Sequence, residues 1–339
     1  MCDGDSFAWR DGVHHPYLRR LIAPAVGLLA LVAANSSASA AEAWPTRPVR
    51  FILTLGVGSG SDIGARLFAD RLSQRWGQPV IVDNRPGGDA LVAINAFVNA
   101  HDDHVLLFAP SGSFTAHPYL HDNLPYKPSD LVPIVRVSNT VIVVTVPTEL
   151  HIDTMAQLMA RARAEPGKLN WAGVTGTNDF IMAGWLQKDH LDMTKVPYRN
   201  PVDAAKDLGE NRVQVYLPAL AIVRPQLDAG KAKLLAVTNT ARAPTEPDLP
   251  TVVEAGAPAL SLDGLVGLFG PSGMPLPLRE RIAADFRAVA DETIHDRLTK
   301  SGQLMNIGGP DEFTQSIEEQ RAKIVGIAKE LGIEPMSGN

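Results

Sequence analysis

VRFILTL (residues 49–55), GVGSGSD (56–62), IGARLFADRLSQRW (63–76) and PVIVDN (79–84) follow one another with only Gly77 and Gln78 between the last two. The first segment is β-branched and aliphatic and reads as a strand. The second has almost no side-chain bulk. The third places Ile63, Leu67, Phe68 and Leu72 on one helical face. Gly77 then ends the helix and PVIVDN returns as a second strand. Strand, glycine-rich loop, helix and strand form the opening unit of an α/β sheet. The loop leaves backbone N–H groups uncovered at the positive end of a helix dipole, a place to hold a phosphate or a carboxylate.

The same alternation continues outward. Helices are expected near 91–99, 154–164, 180–190, 201–208, 278–291 and 311–331. Strands are expected at 105–108, 141–146, 169–172, 213–216, 234–238 and 265–269. Repeated β-α units imply parallel sheets with helices on both faces. Four loops rich in Gly, Ser, Thr or Asn follow strands: 56–62, 110–115 (PSGSFT), 173–179 (GVTGTND) and 198–201 (YRNP). In open α/β sheets ligands sit beyond the carboxyl ends of strands, so these loops are expected to face a cleft.

The chain has 339 residues, 45% of them apolar and 20% charged, which favours about two folded domains over disorder. Its net charge of −6, with no Lys/Arg block, disfavours nucleic acid as a partner. Residues 1–40 differ from the rest. Arg19 and Arg20 precede an apolar core at 21–34, and Ala38-Ser39-Ala40 fits a cleavage site, the pattern of a secretory signal peptide rather than a membrane anchor. Cys2, the single cysteine, leaves with that segment, which excludes thiol chemistry and disulfides from the mature chain.

Catalytic patterns are weak. Gly56-x-Gly58 after a strand, with Asp83 ending the next strand, resembles a dinucleotide fingerprint, but Ser61 stands where the third glycine belongs. There is no P-loop lysine and no G-x-S-x-G elbow. His101 and His104 flank two aspartates and read as a solvated turn. His117 and His121 bracket Pro118, which is expected to spoil their presentation on a helix. No catalytic residue, metal or cofactor is expected. Asp62 lies where a helix N-cap belongs, and its carboxylate could hold the glycine loop through backbone N–H groups. An arginine in a cleft loop, such as Arg199, is a natural carboxylate partner.

These loops, in this order, resemble the Bug family of periplasmic solute-binding proteins, the receptors of tripartite tricarboxylate transporters. The resemblance runs through WPTRPVRFILTL, GSGSDIGARLFADRLSQRWGQPVIVDNRPGG, LLFAPSGSFTAHPYL, LPYKPSDLVPIVRV, KLNWAG, KVPYRNPVDAAKDL, AGKAKLLAVTNTARAPTEPDLPTVVEAG and GLFGPSGMP, nearly all of the chain beyond residue 40. It implies an α/β, two-lobe periplasmic binding protein fold (type II-like), each lobe a doubly wound sheet with helices on both faces. Lobe one would hold residues 44–143 plus 266–339, and lobe two residues 144–265. The chain would be a monomeric periplasmic receptor, not an enzyme, that captures a small carboxylate between its lobes and delivers it to membrane permease subunits. The family's ligand loops fall on Gly58, Ser59, Gly60, Ser61 and Asp62; on Ser111, Gly112 and Ser113; on Thr175, Gly176, Thr177 and Asn178; and on Tyr198 and Arg199. Gly60 is expected to let the ligand approach the backbone.

Some positions depart from the family pattern. Leu55, Gly56 and Val57 replace its prolines and aromatic, and the third loop lacks the usual His, with Asp179 and Ile181 nearby. Gln214 and Leu265 replace an Asp and a Trp. An exported nucleotide-binding α/β enzyme and a binding protein repurposed for sensing are the alternatives. If the leader is cleaved as read, N-terminal sequencing of the exported protein should start at Ala41, and recovery of Met1 on that protein would contradict the reading.

Overall fold

In the computed structural model, β1 (Val49–Leu53) leads through the glycine loop into α1 (Gly60–Trp76) and then β2 (Val80–Asn84). Gly77, at φ 65°, closes α1 by donating its N–H to the Ser73 carbonyl. The structure describes residues 44–174 and 176–336; the leader-like segment 1–40 and Thr175 lie outside the described residues. The chain divides into two units, residues 1–46 and 47–339, and every element below belongs to the second.

The first sheet is completed by β3 (Val105–Pro110), β4 (Val132–Thr140), β10 (Gly264–Gly270) and β11 (Gln303–Gly308), in the order β11-β4-β10-β3-β1-β2. The second holds β5 (Val143–Pro147), β6 (Asn170–Val174), β7 (Thr194–Tyr198), β8 (Val215–Tyr216) and β9 (Ala232–Val237), in the order β7-β6-β8-β5-β9. Helices α2 (Leu91–Val98), α3 (Gly112–Ala116), α4 (Met155–Ala164), α5 (Thr177–Lys188), α6 (Pro201–Gly209), α7 (Leu220–Asp228), α8 (Leu276–Val289), α9 (Glu292–Lys300) and α10 (Pro310–Leu331) connect and cover the strands.

The sheets are mixed, not parallel as expected. β1 pairs in parallel with β2 and β3, but β10 runs antiparallel to both β3 and β4. The cause is a double crossing. β4 ends at Thr140 and β5 begins at Val143, so residues 141–142 alone carry the chain from one sheet to the other. The chain returns from β9 to β10 through residues 238–263. The returning strands lie against the outgoing ones, Gly264 opposite Thr140 and Val237 opposite Val143. A strand that returns beside the one that left must run antiparallel to it. The expected strand at 141–146 is therefore a link followed by β5.

Other differences have local causes. β4 was not expected, because Pro133, Arg136 and Asn139 interrupt its apolar pattern. β7 carries Pro197 and is tolerated as an edge strand. α7 continues past Pro225, which its sequence pattern disguised. Asp291 starts α9 by accepting the Ile294 N–H at 2.9 Å.

The core follows the two sheets. Ile52, Leu107, Phe114 and Phe269 pack in one cluster with Phe313 and Ile317 of α10. Val144, Trp171, Phe180 and Trp185 pack in another, which takes Ile324, Ile327 and Ala328 of the same helix. One apolar stripe on α10 thus serves both sheets.

Asn239 ties the crossings together. It is 1% exposed. Its carbonyl accepts the Ile142 N–H at 3.1 Å, and its amide donates to the Thr140 carbonyl at 3.0 Å and to Asp263 Oδ1 at 3.3 Å. Asn239→Leu leaves the buried Ile142 N–H and Thr140 carbonyl without these bonds. It should lower unfolding free energy by about 2–6 kcal/mol in chemical denaturation, at about 1–3 kcal/mol for each of the two orphaned groups.

Candidate functional site

The Ser59 hydroxyl caps α1, accepting the Asp62 N–H at 3.2 Å. Asp62 is therefore inside the first turn rather than the N-cap expected. Its carboxylate accepts the Gly58 N–H at 2.9 Å, the Asn84 amide at 2.8 Å and the Arg66 Nε–H at 3.1 Å. The Arg66 guanidinium also donates to Asn84 Oδ1 at 2.7 Å. Burial opposes ionisation of Asp62, but the bonds from Arg66, Gly58 and Asn84 outweigh it and hold the carboxyl below its usual range. Gly58 takes φ 85°, which a side chain at that position would strain. The loop is thus fixed from behind, with its backbone presented forward.

A cavity of about 770 Å³ lies between the two sheets, within the range of small-molecule sites. Gly58, Ser59, Gly60 and Ser61 line it from the first sheet, with Gly112 and Ser113. Gly176, Thr177, Asn178 and Asp179 line it from the second. So do Asn200, Pro201 and Val202 at the start of α6 and Ala219 and Ala221 at the start of α7. Four helix N-termini, those of α1, α5, α6 and α7, converge on one space. Much of the remaining wall is apolar: Val57, Ile142, Trp171, Met182, Leu217 and Ile222. Among the described residues no lysine or arginine lines the cavity; its charged lining residues are Asp89 and Asp179.

The expected site residues divide accordingly. Asp62 and Ser111 do not line the cavity but stand behind it. Ser111 is fully buried, and its hydroxyl donates to Gln320 Oε1 at 2.8 Å. Tyr198 and Arg199 also lie off the wall. The Tyr198 hydroxyl donates to Asp207 at 2.7 Å, and burial together with that carboxylate raises its pKa. Arg199 is exposed, and Asn200 takes the place beside the cavity. Thr175 lies outside the described residues. Gly60 faces packing rather than open space. A Cβ there would stand 2.7 Å from Gln303 Nε2 and 2.9 Å from the Ser301 carbonyl.

Two contacts cross the cleft or poise it. The Thr177 hydroxyl donates to the Gly112 carbonyl, and a Cβ on Gly112 would lie 2.8 Å from that hydroxyl oxygen. Asp179 does not cap α5. Its Oδ2 pairs with Lys195 Nζ at 2.6 Å, while its buried Oδ1 has no hydrogen-bond partner. Burial pushes the Asp179 carboxyl upward against the pull of Lys195.

Sequence reading missed Gln303, Gln320 and Asp89. Gln320 was findable: it is a polar residue inside the apolar stripe of Phe313, Ile317, Ile324 and Ile327, and it is 6% exposed. Pro118 also misled. It sits in the first turn of a short 3₁₀ helix, where no N–H is required, and the Leu120 and His121 N–H groups both reach the His117 carbonyl. His117 and His121 therefore do share a face. The buried His117 ring is held neutral, its pKa lowered to about 4, chiefly by burial.

A family model described as tripartite tricarboxylate transporter family receptor matches residues 64–333. A UPF0065 protein of Bordetella bronchiseptica is 28% identical over 308 residues, 90% of this chain and 92% of that protein. Protein BugT of Bordetella pertussis is 25% identical over 321 residues, 93% of this chain and 98% of its own. The solved structure of R. palustris Rpa4515 with adipate superposes with a TM-score of 0.76 at 26% identity, covering 86% of this chain and 99% of that one.

The packing around Gly60 gives a direct test. Gly60→Val should destabilise the fold by about 1–3 kcal/mol through overpacking, measured by urea unfolding. Because Asp62 is held ionised in the folded state, its contribution is present above about pH 4 and lost as pH falls through its lowered folded pKa. Asp62→Asn should therefore flatten the acid limb of a melting-temperature profile.

Proposed function

Because this chain belongs to the tripartite tricarboxylate transporter receptor family, we propose that it is a periplasmic receptor that captures a small carboxylate and passes it to the membrane permease subunits of such a transporter. It acts as a monomer and performs no chemistry on its ligand. The lobes follow the two sheets, so the expected boundaries at 143/144 and 265/266 shift to residues 47–140 with 264–336 for one lobe and 143–262 for the other. The residues at 141–142 and 263 form the hinge about which the lobes close.

The observation that carries this reading is the convergence of four helix N-termini on a cavity without a cationic side chain. Each terminus offers unpaired N–H groups and a partial positive charge. A carboxylate there takes hydrogen bonds from the Ser59 hydroxyl, Gly60 and Ser61 on one side, in a loop shaped by Gly58 whose own N–H is held by Asp62, and from Gly112 and Ser113 beside them. Gly176, Thr177 and Asn178 close from the opposite lobe. Asp62 and Ser111 serve as supports, while Tyr198 and Arg199 do not meet the ligand. The apolar wall suits a ligand with a hydrocarbon body.

Asp179 narrows the class. It lines the cavity with its Oδ1 buried and its Oδ2 paired to Lys195, and this acidic stretch of wall favours a donor over a second carboxylate at the far end of the ligand. The favoured ligand carries one carboxylate and, at the other end, a hydroxyl, amide or ammonium donor.

A thermal-shift screen of mono-, di- and tricarboxylates, amino acids and nucleotides tests both points, since a ligand that binds only the folded state raises the melting temperature. Donor-bearing monocarboxylates should raise it and nucleotides should not. Asp179→Asn should improve dicarboxylate binding by about tenfold, because it removes one negative charge from the wall and leaves the Lys195 ammonium unopposed beside it. Stabilisation by nucleotides alone would contradict the receptor reading.

A further inference from the structure

A cluster at the margin of the cavity is not used by the reading above. Asp89 Oδ2 lies 3.0 Å from His121 Nε2 and 3.5 Å from His117 Nε2. The three donor atoms, one from each residue, lie within 4.8 Å of one another. His117 is fully buried, yet its Nε2 has no hydrogen-bond partner. Its other nitrogen, Nδ1, sits 2.6 Å from the hydroxyl of Tyr126, itself 4% exposed. That bond orients the ring and directs the Nε2 lone pair toward Asp89 when Nδ1 carries the proton, the outer-shell arrangement typical of metal-binding histidines. The two imidazoles stand nearly perpendicular, at 87°, with centroids 4.9 Å apart.

We propose that Asp89, His117 and His121 form a binding site for a divalent transition metal of the zinc class. Two imidazole nitrogens and one carboxylate oxygen suit zinc and its neighbours and do not suit calcium or magnesium, which prefer oxygen ligands throughout. Ligand atoms of a tetrahedral zinc stand about 3.3 Å apart, given zinc–ligand bonds of about 2.0–2.1 Å. The two Asp89–histidine separations straddle that value, and the two histidine nitrogens lie within 4.8 Å of each other, so the carboxylate is already placed and the imidazoles close on the ion by side-chain adjustment. His121 and Asp89 are each about a quarter to a fifth exposed, which leaves a path for the ion and room for a fourth ligand. Asp89 also lines the cavity, so the ion would place a positive charge beside a wall that has no cationic side chain.

The site stands independently of the carboxylate reading, because metal binding is measured with the metal alone. The full chain, purified without a histidine tag and treated with a chelator, is titrated with Zn²⁺ against a chromophoric competitor. One equivalent should bind. Titration with Co²⁺ should give the visible absorption of a four-coordinate nitrogen–oxygen site. His121→Ala and Asp89→Asn, both at partly exposed positions, should each weaken Zn²⁺ binding at least tenfold. His101→Ala, beside but outside the Asp102, Asp103 and His104 cluster, should leave it unchanged. Failure of the wild-type chain to bind one equivalent, or binding unaltered by His121→Ala and Asp89→Asn in folded protein, overturns the proposal.

Discussion

The two sheets are joined by strands that leave and return side by side, and Asn239 holds that junction with one buried amide. Its three hydrogen bonds reach the outgoing link at Thr140 and Ile142 and the end of the return at Asp263. Much of the remaining arrangement depends on this. A strand that returns beside its outgoing partner must be antiparallel, which makes both sheets mixed. The junction is narrow, so the loops beyond the strand ends of the two sheets face the same cavity. α10 then lies across both cores and contributes Gln320 to the wall.

The electrostatics of the cavity come from the backbone. The dipoles of four helix starts supply positive potential without the desolvation that a buried lysine or arginine would require. The charged groups that shape the first loop are kept behind it. Asp62 and Arg66 neutralise each other, Asn84 bonds both, and Asp62 fixes the Gly58 amide. A loop held in this way presents its donors in place before a ligand arrives, which limits the ordering cost of binding. The two charged side chains that do reach the wall are acidic. One, Asp179, is paired with Lys195, and the other belongs to the proposed metal cluster.

The opening strand, loop, helix and strand were legible because local propensity and periodicity agree there. The glycine loops at Gly58–Ser61, Gly112–Ser113 and Gly176–Asn178 were legible for the same reason: each follows an apolar strand and opens a helix. What was not legible has physical causes. Strand direction follows from the double crossing, a long-range property that repeated β-α units do not reveal. Pro118 read as spoiling a helix, yet it sits in the first turn of a 3₁₀ helix where no N–H is required, while Pro197 lies in an edge strand and Pro225 inside α7. The surroundings of Gly60 and Arg199 were not legible either. A side chain at Gly60 would crowd the neighbouring Ser301 carbonyl. The arginine follows an edge strand and stays in solvent while Asn200 turns to the cavity. The His117–His121 pair was hidden by Pro118, and Asp89, distant in sequence, completes it only in the folded chain.

The central claim is that backbone donors at helix N-termini, not cationic side chains, hold a carboxylate between the sheets. A crystal structure of the chain with a carboxylate that stabilises it thermally tests this most directly. The account predicts carboxylate oxygens within hydrogen-bonding distance of N–H groups in Gly58–Ser61 or Gly112–Ser113, with no lysine or arginine in contact. A carboxylate seated against Arg199, or outside the cavity altogether, would contradict it.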